Sequence, residues 1–275
     1  LSVRVYLPPD AVHNRVLKAF YDGCPVEKKL VSVEEYRPSD IAVVFGVRKS
    51  RIQLSYPRGH VIEEQRRRRL GVIVLETGYI RRGDGIDNYY AAGFGALNGR
   101  ANFRNKGMPK DRFKELGVEL EPWRDGEHVL LCAQVPWDAS VDHVDYLPWL
   151  QHTADVLVNV SKRPVVFRAH PMAALQAPAG CRSTSGSLEK DLEKAHAVVS
   201  FNSNTGVDAL LAGVAPFAFD EGSMVWGVCN RTLDKVNEPW KPEREQWARD
   251  LAYAQWTPGE MSQGKTWAHL FRSSH

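Results

Sequence analysis

Short apolar runs recur along the chain at Val3 to Leu7, Ile41 to Phe45, Val72 to Leu75, Val129 to Ala133, Val165 to Phe167, Val198 to Phe201 and Ala215 to Phe219. Their length and β-branched content predict strands. Between several of them, apolar positions return at helical spacing: Ala11 to Tyr21, Trp149 to Val160 and Thr205 to Ala212. Strands alternating with helices predict an α/β fold built on parallel sheets covered on both faces. Gly83 to Asn105, rich in Gly, Asn and aromatic residues, follows neither period and predicts functional loops.

A turn-forming cluster, Glu121-Pro122-Trp123-Arg124-Asp125-Gly126, interrupts the pattern. It predicts one α/β unit over residues 1–125 and a second over 126–235. The remainder, 236–275, is helical in pattern, carries Trp240, Trp247, Trp256 and Trp267, and shows no strand. Such a tail packs most simply across both units, with its tryptophans in the core.

A length of 275 residues allows a sizeable core, and 43% hydrophobic with 25% charged residues is ordinary for a soluble globular chain. No apolar run approaches the roughly 20 residues of a membrane span, so no membrane partner is expected. Cys24, Cys132, Cys181 and Cys229 are scattered without a Cys-x-x-Cys pair. That indicates neither a zinc site nor a disulfide framework and makes a reducing, cytoplasmic setting the expectation. Histidines 13, 60, 128, 143, 152, 196 and 269 lack metal-ligand spacing and read as surface or structural. There is no P-loop, and Arg82-Gly83-Asp84-Gly85 lacks the strand-to-helix context of a dinucleotide fingerprint. The net charge of +3 is mild, but Arg66 to Arg69, Arg81, Arg82, Arg100, Arg104, Lys106 and Lys110 make the first half basic. This is either a surface for a polyanion or the solvated face of a helix preceding the strand at 71–76.

The candidate chemistry gathers at predicted strand ends. His170, fixed before Pro171, can donate to a phosphate oxygen, while Arg168 alternates with it and faces away. Ser203, Asn204 and Thr205 open the helix 206–212, whose unpaired N–H groups suit either a side-chain cap or a phosphate. Asp208 completes a capping-box-like spacing and Gly213 is the expected helix stop. Gln134 and Asp138 follow another strand; the carboxylate can be a general base, a nucleophile or a turn cap. Glu76 follows a third, with Gly78 predicting a tight turn that aims it inward. In a parallel sheet, ligands lie outside the carboxyl ends of the strands, so these residues predict a nucleotide site.

At these positions the chain resembles the capsular polysaccharide β-Kdo transferases and, more loosely, bacterial sialyltransferases. Val74 to Arg81 is similar to the family's Glu-Asp-Gly-Phe-x-Arg turn, and Val129 to Ser140 to its strand followed by Gln, three residues and Asp. Phe167 to Pro171 is similar to its Lys-Pro-His-Pro, Ser203 to Gly213 to its Ser-x-x-Gly-Phe-Glu-Ala-Leu-x-x-Gly, and Phe217 to Gly227 to the segment that follows. Thr77, Ala169 and Arg168 depart from the pattern, replacing an aspartate, a proline and a lysine. The resemblance covers about residues 70–230. It implies a GT-B glycosyltransferase: two Rossmann-like units facing a cleft, the second holding a UDP- or CMP-linked sugar.

The resemblance further implies His170, Ser203, Asn204, Thr205 and Gln134 as donor contacts, with Asp138, Glu76 and His170 catalytic. Arg81, Arg82, Tyr79 and Tyr89 are the candidate acceptor contacts. No metal or cofactor is required. The Trp-rich ending also resembles bacteriophage proteins. Together with the basic first half, it makes 5-hydroxymethylpyrimidine (such as hydroxymethylcytosine) in duplex DNA the leading acceptor. Tyr79, Tyr89, Tyr90 and Phe94 would then fill or wedge the base stack. A CMP-linked acidic-sugar transferase for a surface glycan, and a non-catalytic nucleic-acid-binding protein, are the alternatives.

Overall fold

The computed structural model describes residues 1–9, 11–47, 57–83, 85 and 87–272. In chain order the elements are β1 (Ser2–Leu7), α1 (Ala11–Asp22), β2 (Glu27–Ser32), β3 (Ile41–Phe45), α2 (Pro57–Arg67), β4 (Gly71–Thr77), β5 (Tyr90–Phe94) and α3 (Asp111–Glu115). There follow β6 (His128–Cys132), α4 (Tyr146–Val160), β7 (Val165–Arg168), β8 (Arg182–Ser183), α5 (Leu188–Glu193), β9 (Ala195–Ser200), α6 (Thr205–Leu211) and β10 (Ala215–Ala218). The chain closes with α7 (Glu245–Ala252), β11 (Gln255–Trp256), α8 (Pro258–Ser262) and α9 (Lys265–Leu270).

Two compact units form: Leu1–Leu116 with Arg249–His275, and Gly117–Ala248. The division therefore falls at Leu116/Gly117, where the sequence pattern placed it near 125. The tail is not a module of its own: its last part completes the first unit and its opening belongs to the second.

The first unit holds a sheet of order β11-β5-β4-β3-β1-β2. β1, β2, β3 and β4 run parallel, while at one edge β5 pairs antiparallel with β4 and β11 antiparallel with β5. Alternation within the apolar runs explains the layering. Ile41, Val43, Phe45, Ile73 and Leu75 face a core shared with Val16, Leu17, Phe20, Trp256, Met261 and Trp267. Ala42, Val44, Val72 and Val74 face Val61 and Ile62 of α2 on the other side. Successive strand residues point to opposite faces, so a strand buried on both sides must be apolar throughout.

Two expectations are corrected here. The stretch read as loops contains β5, and the tail read as strandless contributes β11, which pairs with it. Both strands are short and Gly- or Gln-bearing; β5 pairs with the preceding β4, and β11 gains its ladder from β5, remote in sequence. Asp84 and Ile86 of that loop stretch, and residues 273–275 of the tail, lie outside the described residues.

The second unit is a fully parallel sheet of order β10-β9-β6-β7-β8. Val129, Leu131, Phe167, Ala197, Val199 and Phe217 face Leu150, Ala154 and Leu157 of α4. Leu130, Cys132 and Val198 face Ala209 of α6 and Leu192 of α5. The chain builds outward from β6 through β7 to β8, then crosses to lay β9 on the other side of β6. The order of strands thus reverses beside β6, the position at which a parallel sheet opens a crevice at its carboxyl edge. No helix among the described residues is long and apolar enough to cross a membrane.

Candidate functional site

Loops leaving β6, β7, β9 and β10 all emerge at the carboxyl edge of the second sheet and bring Gln134, Asp138, His170 and the 203–205 turn to that edge. β7 and β9 flank β6. With strands about 4.8 Å apart, the two strands that lead to His170 and Ser203 stand about 10 Å from each other.

His170 follows β7 in a tight bridge with Ala173. Its Nδ1 accepts the Met172 N–H at 3.1 Å. An acceptor nitrogen carries no proton, so in the neutral ring Nε2 is the protonated atom and the remaining donor. Burial lowers the His170 pKa, and the nearby Asp138 charge only partly offsets it. Near neutral pH the ring is therefore an uncharged donor. Asp138 is exposed, and its Oδ1 accepts the Ser140 N–H at 2.8 Å, which orients the carboxylate within its turn. Arg168 faces away, as expected: its Nη1 meets Asp191 Oδ2 and Gly186 O, each at 2.7 Å, and holds α5.

The start of α6 departs from expectation. Ser203 Oγ accepts the Thr205 N–H (3.2 Å), Ser203 O accepts that of Gly206 (3.1 Å), and Asn204 O accepts those of Val207 (2.9 Å) and Asp208 (3.2 Å). The N–H groups assigned to a phosphate are therefore already satisfied within the turn. Asn204 occupies the cap position without a side-chain cap bond. The Thr205 hydroxyl is buried rather than presented, and it lies near the Cys132 thiol, whose pKa burial pushes up to about 12. The Ser203 hydroxyl, whose own proton can still be donated, is what this turn offers a ligand.

Gln134 departs from expectation as well. It is buried, and its amide is committed to the protein: Oε1 accepts the Asn202 N–H at 2.9 Å and Nε2 donates to Asn202 Oδ1 at 2.7 Å. Its backbone N–H meets the Tyr146 hydroxyl at 2.6 Å. Gln134 therefore braces the β6 and β9 loops against each other and is not a donor contact.

The remaining candidates belong to the first unit. Glu76 closes β4, with Oε1 accepting the Thr77 N–H at 2.9 Å. A Cβ added to Gly46 would stand 3.1 Å from Arg58 Nη1 and 3.5 Å from Glu76 Oε2. Carboxylate and guanidinium thus border the same turn, and Arg58, buried and donating to Phe45 O, is a residue that sequence reasoning missed. Gly78 closes the expected turn: its N–H donates to Tyr89 O at 3.0 Å, and any Cβ would lie 2.4 Å from that oxygen.

Tyr79 is not a surface contact. It is 0% exposed, packs edge-on against Phe103, and burial raises its hydroxyl pKa well above the ordinary value. Gln255 accounts for this, because its Oε1 accepts the N–H groups of Tyr79 (2.7 Å) and Ile80 (3.0 Å). Tyr90 and Phe94 are likewise strand residues packed in the first core rather than wedges. Tyr89 is half-buried; Arg81 and Arg82 are exposed, Arg82 donating to Tyr79 O at 2.9 Å.

The fold of this chain is GT-B-like. It is similar to Thermosulfurimonas dismutans KpsC, beta Kdo 2,7 transferase, with a TM-score of 0.59 and 16% identity over 92% of this chain and 90% of that one. It is equally similar to Thermosulfurimonas dismutans KpsC, beta Kdo 2,4 transferase: TM-score 0.59, 14% identity, 91% of this chain and 89% of that one. No protein-family model and no curated protein sequence matches the chain.

Proposed function

We propose that this chain is a glycosyltransferase that moves a sugar from a nucleotide sugar to an acceptor hydroxyl. The observation that carries the reading is the state of His170: a neutral imidazole just past a strand end whose Nδ1 is occupied, which leaves Nε2–H as its donor. As the acceptor oxygen bonds to the anomeric carbon, the bond from that carbon to the phosphate oxygen breaks. The departing phosphate gains charge, and a preorganised donor stabilises it. His170 Nε2–H and the Ser203 hydroxyl are the donors, and no metal enters the scheme. Asp138, beside His170, serves as general base or as nucleophile. Glu76 orients the acceptor, with Arg81, Arg82 and Tyr89 as the acceptor-side contacts.

The likeness to two β-Kdo transferases favours an acidic sugar, and with it a CMP-linked donor and a surface-glycan acceptor, in a cytoplasmic setting. A second reading, transfer to 5-hydroxymethylpyrimidine in duplex DNA, is supported by the exposed run Arg66 to Arg69 and by nothing more specific. Part of that basic half is engaged internally: Glu64 pairs with Arg67 at 2.7 Å and Arg68 at 3.5 Å, Arg66 bonds Gly95 O, Arg104 bonds Leu270 O, and Arg112 is buried. The test is incubation with a panel of CMP- and UDP-sugars, measuring released nucleotide. Release that is lost in His170→Phe is the expected result. No release, with no nucleotide-dependent thermal shift, refutes the transferase and leaves a non-catalytic binding protein. Salt-sensitive binding to duplex DNA separates the two acceptors.

A further inference from the structure

The brace between Gln134 and Asn202 continues beyond those two residues. With its carboxamide fixed by Gln134, Asn202 donates from Nδ2 to Ser140 O (2.8 Å) and to Asp220 Oδ1 (2.9 Å). The Gly222 N–H donates to the same Oδ1 at 2.9 Å. Asp220 Oδ2 then lies 2.9 Å from His143 Nε2. Asp220 is 7% exposed and His143 39%, so a buried relay ends on an imidazole at the surface of the carboxyl edge. The His143 ring also rests against Phe201, centroid to centroid 5.8 Å. An ionised carboxylate only accepts. Nε2 therefore carries the proton of the neutral ring, and Nδ1 presents a lone pair.

We propose that His143, held in this tautomer by Asp220, reads the donor: its Nδ1 accepts a hydrogen bond from a hydroxyl of the bound nucleotide sugar. The inference rests on the nucleotide-sugar reading above. Placement supports it, because Asn202 immediately precedes Ser203, and Ser140 lies in the turn that Asp138 orients. Polarity supports it as well. His170 and Ser203 offer protons, which suits a phosphate; His143 offers a lone pair, which suits a hydroxyl. Asp220 touches no ligand in this scheme and is a positioning residue.

The decisive variant is Asp220→Asn. Its amide keeps an oxygen for Asn202 and Gly222 and turns its NH2 toward the imidazole. His143 Nε2 must then accept, which moves the ring proton to Nδ1. The hydrogen bond survives while the face shown to the ligand is inverted, as when a triad aspartate is replaced by asparagine. His143→Phe keeps the ring against Phe201 and removes the lone pair. Calorimetric titration with CMP- and UDP-sugars should show binding at least about tenfold weaker in both variants. Nitrogen NMR of Asp220→Asn should find the His143 proton on Nδ1, with the thermal midpoint close to that of the unaltered protein. Free CMP and UDP tell the sources apart: equal weakening assigns the hydroxyl to the ribose, and weakening of the intact nucleotide sugar alone assigns it to the transferred sugar. Variants that bind as the unaltered protein does overturn the role of His143 and leave the transferase reading standing. An unaltered protein that binds no nucleotide or nucleotide sugar overturns both. Should His143→Phe not fold, Asp220→Asn decides alone.

Discussion

In two imidazoles of the second unit a local hydrogen bond decides which ring nitrogen is engaged by the protein. His170 has one nitrogen capped by the Met172 N–H; the other is a fixed donor. Replacing His170 by Phe should reduce nucleotide release by about a hundredfold or more while leaving the fold intact, the effect expected when a single preorganised donor to a developing anion is lost. Steady-state assays with the best donor of the panel, alongside thermal melts, would check this. Gln134→Ala should act oppositely. It strands the buried Asn202 amide and its N–H, so it should cost on the order of 2 kcal/mol in urea unfolding before any effect on chemistry. That His170, Asp138 and Ser203 stand at the carboxyl edge was legible in the sequence because each closely follows an apolar run. Gln134 and Thr205 were misassigned for the same reason: a strand end tells where a side chain starts but not which partner it finds. Asp220 and His143 carried no periodic or spacing signal at all.

At the scale of elements, the first unit depends on strands and helices that arrive from the far end of the chain. Arg112 of α3 bonds Glu260 of α8 (2.5 Å) and Gln255 O (2.9 Å), and its guanidinium lies 3.8 Å from the centre of the Trp256 ring. Burial alone would raise the Glu260 carboxyl, yet the Arg112 bonds and the Thr257 N–H hold it below its usual value. Removing one partner of such a buried pair leaves an uncompensated charge, so Arg112→Ala should cost about 3 to 5 kcal/mol. Hydrogen exchange should then speed up in β5 and β11 ahead of β3. The helix stop at Gly213 was foreseen from its place after an apolar stripe. The residue has φ +71°, and a Cβ there would lie 2.1 Å from Pro122 O, so Gly213→Ala combines backbone strain with a clash against a carbonyl. Its cost should exceed the roughly 1 kcal/mol of an ordinary Gly-to-Ala mismatch, as judged by the denaturation midpoint. β5 escaped notice because Tyr-Ala-Ala-Gly-Phe carries no β-branched residue, and β11 because two residues display no pattern.

Over the whole molecule, acid should destabilise both units. The His269 ring is buried against Phe103 O, and burial, joined by Arg272, Arg112 and Arg104, depresses its pKa to about 4. His128 and His196 in the second unit are also lowered, chiefly by burial. A depressed folded-state pKa means that the unfolded chain binds protons first. The contribution is therefore complete above the unfolded value of about 6.5 and is lost as pH falls toward 4. His269 alone accounts for on the order of 3 kcal/mol across that window. Urea unfolding at pH 7.5 and pH 4.5 would measure it, and in His269→Phe the slope between those two values should shrink. The alternation of apolar runs and helical stripes was enough to establish two α/β units and which strand ends face one edge, because burial on two faces leaves a continuous apolar signature along the chain. Where the units divide, which part of the tail joins which, and that Tyr79 is core rather than contact were settled only by long-range pairing. Gln255 bonding to a turn more than a hundred and seventy residues away is an interaction between polar atoms, and no pattern along the chain encodes which polar atom will meet which.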